Sequence, residues 1–313
     1  MDFSSIPKKE VNDTGDGFRQ YDTVNPISRK FSKRLICIDS VFRPHYANTS
    51  SCDFVFTMPE HIKKIVSMKI SSIEIPNTIY QFSANDLSNT FKIILNGTVY
   101  PITIPDGNYN PEEIVAEFYT IFSKYGINTE ENTTLSVFYH KSGRLSFDYT
   151  GSTDGTLEFD FETEGAKYRR NCGWSLGFKQ LSYTAVITET DGVYMGSIDA
   201  DFIFGASVDK YIFVDVDDYQ RNFLTGAVMS VTNRTDTGNS SYLGNNIMAK
   251  IPITEAPNAI MFNSGADQLF KTREYFGPVK LEKIRLRLLN KYGELVNLNN
   301  EDFSISIELT ELY

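Results

Sequence analysis

The sequence predicts a mainly β protein folded as an antiparallel sandwich, on three observations. Near the carboxyl end Phe303, Ile305, Ile307 and Leu309 alternate with Ser304, Ser306, Glu308 and Thr310, the period of two that buries one face of a strand and wets the other. Slightly earlier Ile284, Leu286 and Leu288 alternate with Lys283, Arg285 and Arg287, and Tyr292-Gly293 marks a turn between the two runs. The 313 residues hold 23 Phe and 18 Tyr against a single Trp, a balance that favours strands and subunit contacts over helices. A chain whose last residues enter the core closes its own sheet, so the expected architecture is a sandwich or jelly roll.

The elements follow in order. Residues 1–33 are rich in Ser, Asn, Asp, Lys and Gly without a sustained period and read as an arm. It is either a disordered tail or a segment that orders on a neighbouring subunit through Phe18, Tyr21 and Phe31. The sandwich is expected to use residues 34–88 and 183–313. Its first strands fall at 35–39, 53–57 and 65–75. In the third, Val66, Met68 and Ile70 share one parity while Ile73 and Ile75 share the other. That slip predicts a β-bulge or bend at Ser71-Ser72, where one strand serves two parts of a sandwich.

Residues 89–182 read as an inserted α+β unit of order ββαβββ. Strands at 91–95 and 99–104 flank an Asn96-Gly97 hairpin signal. The one long helix follows, with Asn110 as its cap, Pro111 at the first position, Glu113 at capping-box spacing and Gly126 as its stop. Ile114, Phe118, Ile121, Phe122 and Tyr125 form its apolar face. Strands at 135–139, 145–149 and 157–161 complete the unit. Beyond Tyr183 strands are expected at 184–188, 201–204, 211–216 and 247–253, with 233–246 as a long loop before the terminal pair.

Bulk chemistry narrows the function. A formal charge of −10 repels phosphate backbones and anionic lipid, which argues against direct nucleic-acid binding. Cys37, Cys52 and Cys172 are an odd number without CxxC spacing, so neither a disulfide framework nor a zinc site is expected, and a reducing compartment fits. No stretch approaches the roughly 18 apolar residues that span a bilayer, and the amino terminus lacks an apolar signal region, so the expectation is a soluble, not conventionally secreted protein.

Gly173-Trp174-Ser175-Leu176-Gly177 matches the G-x-S-x-G of a nucleophile elbow, but His45, His61 and His140 all precede Ser175, whereas that architecture places its His later. A turn packing Trp174, Leu176 and Phe178 against the helix is the reading preferred here. The same scattered histidines give no cluster for a metal centre. Carboxylates gather at Asp215, Asp217 and Asp218 and at Glu158, Asp160, Glu162 and Glu164. They read as solvated strand faces, with a calcium site or a glycosidase pair as the alternatives. Lys283, Arg285 and Arg287 form a basic stripe: a wet strand face, or a match for an acidic neighbouring subunit. No catalytic, cofactor-binding or metal-binding residue is assigned.

Several segments carry a family resemblance in order and spacing across most of 36–313. They are Ile38-Asp39-Ser40 with Arg43, Asp53-Phe54-Val55-Phe56, the run from Val66 to Tyr80, Ile104-Pro105-Asp106-Gly107-Asn108-Tyr109, Leu176-Gly177-Phe178, Asp217-Asp218-Tyr219, and Tyr275-Phe276-Gly277-Pro278-Val279 through Asp302-Phe303-Ser304-Ile305. In these the chain resembles the penton and minor capsid jelly-roll proteins of the nucleocytoplasmic large DNA viruses.

The resemblance implies a single jelly roll without enzymatic activity or cofactor. It implies a homopentamer closing an icosahedral vertex, or another minor capsid protein cementing major capsid capsomers. The implied partners are copies of itself, the viral major capsid protein and other minor capsid proteins, in a virion assembled in host cytoplasm. Expected contact residues are Tyr275, Phe276, Tyr292 and the arm aromatics. A glycan- or receptor-binding module built on aromatics of the insert is the alternative.

Overall fold

The computed structural model describes residues 30–128, 133–152, 154–164, 170–205, 209–223, 231–233, 240–242, 246–264 and 272–313. Strands β1 (Phe31–Asp39) and β2 (Asp53–Pro76) precede an inserted unit. That unit holds β3 (Thr90–Leu95), β4 (Thr98–Thr103), α1 (Pro111–Tyr125), β5 (Thr133–Tyr139), β6 (Leu145–Gly151), β7 (Leu157–Asp160), α2 (Cys172–Leu176), β8 (Ser182–Thr184), β9 (Thr188–Thr190) and β10 (Val193–Asp199). The chain continues through β11 (Tyr211–Asp217), β12 (Val231–Asn233), β13 (Ser240–Tyr242), β14 (Ile247–Pro252), β15 (Ile260–Ser264), β16 (Thr272–Leu289) and β17 (Ser304–Leu312).

An antiparallel sheet runs β1-β17-β2-β16-β11-β14, with β15 also paired to β2. The 24 residues of β2 serve it twice. Residues 53–57 pair with the end of β16, while residues 65–76 pair with β17 on one side and with β15 and the first residues of β16 on the other. Between these parts the register against β16 shifts repeatedly, and Lys64 takes a left-handed φ of 60°. The strand therefore bends from one layer into the other near Pro59 to Lys64, joining what the sequence suggested were separate strands at 53–57 and 65–75.

Counting the halves of β2 separately gives eight strands. The layer β1-β17-β2-β15 joins first to last, last to third and third to sixth. The layer β2-β16-β11-β14 joins second to seventh, seventh to fourth and fourth to fifth. That is the strand order of a jelly roll. The layers face each other: β14 packs against β2 although β16 and β11 separate them in the sheet. Ile38, Phe54, Met68, Val214, Met248, Leu286 and Ile307 share one core.

The bulge expected at Ser71 is present. Ser72 pairs with Ser306 and Ile70 with Ile307, so Ser71 is the extra residue, and Met68, Ile70, Ile73 and Ile75 all turn into the same core. It lies within one layer, however; the passage between layers is the earlier bend.

The insert sits between β2 and β11 and has its own core. Asn110 accepts the amides of Glu112 and Glu113, the Glu113 carboxylate takes the Asn110 N–H at 2.8 Å, and Gly126 ends α1 at φ 70°. These contacts satisfy the orphan donors of the first turn and fix the helix ends. Ile114, Phe118, Ile121 and Phe122 are its buried face, with Tyr125 half-buried.

Three expectations are corrected. The insert does not end at 182, because β8 pairs with β7 and β10 pairs with β6; strands up to Asp199 complete the small sheets and do not join the sandwich. No strand forms at 201–204, where Phe202 and Phe204 donate their amides to the carbonyls of Gly177 and Gly143. Residues 31–33 belong to β1 and pair with Leu312, Glu311 and Thr310, so the arm reaches no further than residue 30. The rest of the arm, with Phe18 and Tyr21, lies outside the described residues. So does most of 233–246, of which 240–242 pair with 231–233.

Candidate assembly surface

The segments that carry the family resemblance meet in pairs. At the end of β1, Ser40 Oγ donates to Asp302 Oδ1 at 2.6 Å and accepts the Phe303 amide at 2.9 Å. Arg43 pairs with Asp302 and donates to the Ser40 carbonyl at 2.8 Å, with its guanidinium 4.1 Å above the Tyr46 ring. This cluster, with Ser40 and Arg43 buried, fixes where β17 enters the sheet beside β1.

A second joint holds the segment after β11. Arg273 Nη1 lies 3.0 Å from Asp218 Oδ2, both side chains almost fully buried, although not in hydrogen-bond geometry. Arg273 Nη2 donates to the Val216 carbonyl at 2.8 Å, and its guanidinium stacks 4.5 Å from the Phe223 ring. The Tyr275 hydroxyl donates to Asp218, and burial, then the Asp218 charge, push its pKa well up. A third joint fixes the insert: Asn108 bridges the Ile79 carbonyl and the Gln81 amide, while Asp106 accepts from Ala84 and Asn89.

The expected contact residues divide accordingly. Tyr275 is only 8% exposed and belongs to the sandwich core; its hydroxyl reaches inward because Asp218 is there to accept it, so it is no contact residue. Phe276, the next residue along the strand, faces out at 70% exposure. Tyr292 is half-buried between Arg170 and Lys291, 5.7 and 5.2 Å from its ring. There Arg170 of the insert pairs with Glu294 at 2.6 Å, so this turn anchors the insert to the sandwich. Phe31 is 54% exposed on β1.

The basic stripe is spent within the chain. Arg285 grips Asp53 through two bonds of 2.7 Å, the Asp53 hydrogen bond raising the Arg285 pKa, and Arg287 pairs with Asp215 at 3.0 Å. Lys283 lies 4.4 Å over the Tyr219 ring. The carboxylates opposite are not solvated either: Asp215 and Asp218 are buried. Burial raises the Asp215 pKa against the opposing pull of Arg287. On β7, Leu157 and Phe159 point inward and Glu158 and Asp160 are half-buried outward. The strand lies between β3 and β8, and Lys92 holds Asp160 at 2.8 Å.

Ser175 lies in α2, where its hydroxyl donates to the Gln81 carbonyl at 3.4 Å. Both glycines of the pentapeptide have packing reasons. A Cβ on Gly173 would stand 2.5 Å from the Phe161 ring, and Gly177 has φ 102° with the Phe202 carbonyl 2.5 Å from where a Cβ would be. Trp174 packs on Phe202, at 5.3 Å between centroids, while Leu176 and Phe178 are buried in the insert core. His45, His61 and His140 are exposed and separate. Among the described residues no group of three or more His, Cys, Asp or Glu is placed to hold a metal ion.

What the surface offers is apolar. Leu35 on β1 is 56% exposed; Ile260 and Phe262 on β15 are 67% and 63% exposed. These are the two outermost strands of one layer. Val41 and Phe42 extend the exposed apolar surface beyond the end of β1. The sequence had pointed to aromatics near residues 275–292; period-2 reading of Ile260-Met261-Phe262, with Met261 buried, was the missed signal.

No protein-family model matches the chain, and no curated protein matches its sequence. Among solved structures it is similar to the mavirus penton protein, in a selenomethionine-labelled crystal structure, at 10% identity and a TM-score of 0.43 over 91% of this chain and 100% of that one. It is also similar to a chain of the Sputnik virophage from a cryo-EM structure, at 11% identity and a TM-score of 0.43 over 89% of this chain and 98% of that one.

Proposed function

We propose that this chain is a structural protein of an icosahedral viral shell: a penton protein whose copies close a fivefold vertex as a homopentamer. Its partners in this reading are further copies, the major capsid protein and other minor capsid proteins, in a virion assembled in host cytoplasm. The observation that carries it is the division of labour on the sandwich. Arg273, Arg285 and Arg287 are paired within the chain with Asp218, Asp53 and Asp215, while exposed apolar side chains stand on the outermost strands. Such side chains are what a subunit interface buries. A closed ring needs two different patches of each subunit to meet, and the sandwich has two such flanks. The resembling sequence segments, which form the joints of that sandwich, support the same reading.

Sedimentation velocity of the purified full chain tests it: a discrete pentamer is expected, and a strict monomer speaks against assembly by the chain alone. A second reading has its own observation. Tyr119, Phe138 and Tyr139 are exposed on the insert, and a cleft of about 550 Å³ lies where the insert meets the sandwich, lined by Asn77, Asn108, Tyr109, Lys210 and Glu255. Aromatic, amide and charged groups suit a glycan. Saturable glycan binding by a chain that does not oligomerise would favour that module over the shell protein.

A further inference from the structure

We propose that the ring closes by strand addition: the outer flank of β1 in one subunit pairs antiparallel with the outer flank of β15 in the next. This rests on the self-assembly reading above and names the two patches that meet.

Among the described residues β1 pairs only with β17 and β15 only with β2, so each presents one flank of backbone donors and acceptors. A flank of this kind templates pairing with another chain unless charge, proline or a bulge blunts it. β15 reads Ile-Met-Phe-Asn-Ser, with no charge and no proline. β1 does carry Lys33, Arg34 and Asp39, but all three are held by their own chain, Asp39 accepting the Val41 amide at 2.9 Å past the strand end. Lys33 pairs with Glu308 at 3.2 Å, and Arg34 pairs with Glu311 at 2.7 Å and Glu60 at 3.0 Å.

Strand direction selects the partner. The layer β1-β17-β2-β15 is antiparallel at every step, so its two outer strands run in opposite directions. A second copy carried alongside in the same orientation therefore brings its β1 antiparallel to β15 of the first. That contact is head-to-tail, the kind that rotation closes into a ring. Side-chain parity agrees. Ile38 on β1 and Met261 on β15 are buried inward, so Leu35 and Cys37 on one strand and Ile260 and Phe262 on the other lie on the same outer face, where they would form one continuous apolar strip.

Cys37 supplies the probe. Directly opposed residues of an antiparallel pair have Cα atoms about 4.5–5.5 Å apart, within disulfide reach. Ile260→Cys, Phe262→Cys and Ser264→Cys sample the outward positions of β15. On oxidation of the assembled full-length protein, one of the three is expected to give a covalent ladder climbing from dimer to pentamer, and Cys37→Ser in that variant should abolish it. Phe262→Asp should remove the oligomer in sedimentation while leaving the far-ultraviolet circular dichroism of the folded chain unchanged. Cys37–Cys37 dimers of the unmodified chain would reveal a twofold contact and overturn the proposal. An oligomer that survives Phe262→Asp and yields no ladder overturns the strand pairing yet leaves self-assembly standing. A chain that sediments as a monomer at every concentration overturns both.

Discussion

Among the described residues the buried charged side chains are Arg43, Asp215, Asp218 and Arg273, and all four belong to the sandwich. The inserted unit buries rings instead: Phe147 lies 4.8 Å from Phe159 and 5.0 Å from Phe118, and Phe161 stacks on Phe91 and Phe178 at 5.1 and 5.2 Å. The sandwich core is mostly aliphatic, with Phe54, Tyr275 and Phe303 as its buried aromatics. The sandwich also has charged joints where its connections enter and leave, at Asp302 and at Asp218. The insert is held by edge-to-face and stacked rings in a compact core of its own, and meets the sandwich through polar contacts such as Arg170 with Glu294. A framework pinned at its connections can keep its outer strands in fixed register for a neighbour; a self-contained unit can be carried on it.

The largest effect is expected from emptying the ring cluster. Phe147→Ala should cost about 3–5 kcal/mol and lower the denaturant midpoint reported by fluorescence of Trp174, the chain's one tryptophan. Because that ring belongs to the insert, the far-ultraviolet signal of the sandwich should unfold later; coincident transitions would mean that the two cores form one cooperative unit. Arg273→Met should cost about 3–4 kcal/mol by stranding the Asp218 carboxylate in the sandwich. Adding Asp218→Asn should restore much of that loss, and equal losses in single and double variants would show that packing outweighs charge at this joint. Gly177→Ala, with its positive φ and the Phe202 carbonyl in the way, should cost about 1–3 kcal/mol and move only the Trp174 transition.

Acid sharpens the contrast further. Burial raises the Asp215 pKa, so the folded sandwich holds that proton more tightly than the unfolded chain does; the cost of its ionisation disappears as pH falls through the raised value. On the insert, burial raises the Asp160 pKa, but Lys92 and the Glu162 amide outweigh it and leave the value lowered. Its stabilisation is present above the unfolded value and is lost as pH falls through the lowered one. Stability profiles between neutral and acid pH should show Asp160→Asn flattening the loss in the insert, and Asp215→Asn removing a gain in the sandwich. Identical profiles for both variants would contradict the assignment.

Local chemistry was the legible part of the sequence. The capping box of α1, the Gly126 stop, the Ser71 slip and the terminal alternation each depend on residues a few positions apart. Three features were hidden because their causes lie far along the chain. Pro59, Glu60, His61, Lys63 and Lys64 look like a loop, but β16 pairs across the bend and keeps β2 continuous. Strands β8 and β10 are indistinguishable from sandwich strands until β7 and β6 are known to be their partners. Asp218 and Arg273 read as solvated polar residues, and only the fold brings them together in the interior. The contact residues were misplaced for the same reason: Tyr275 and Phe276 look alike in sequence, and strand parity sends one to Asp218 and the other to solvent.

Native mass spectrometry of the purified full-length chain tests the central claim most directly, because it counts subunits. The account predicts a dominant species at five times the 35.5 kDa chain mass, dissociating through loss of single subunits. A species at the mass of one chain, or an even-numbered series built from dimers, would contradict it.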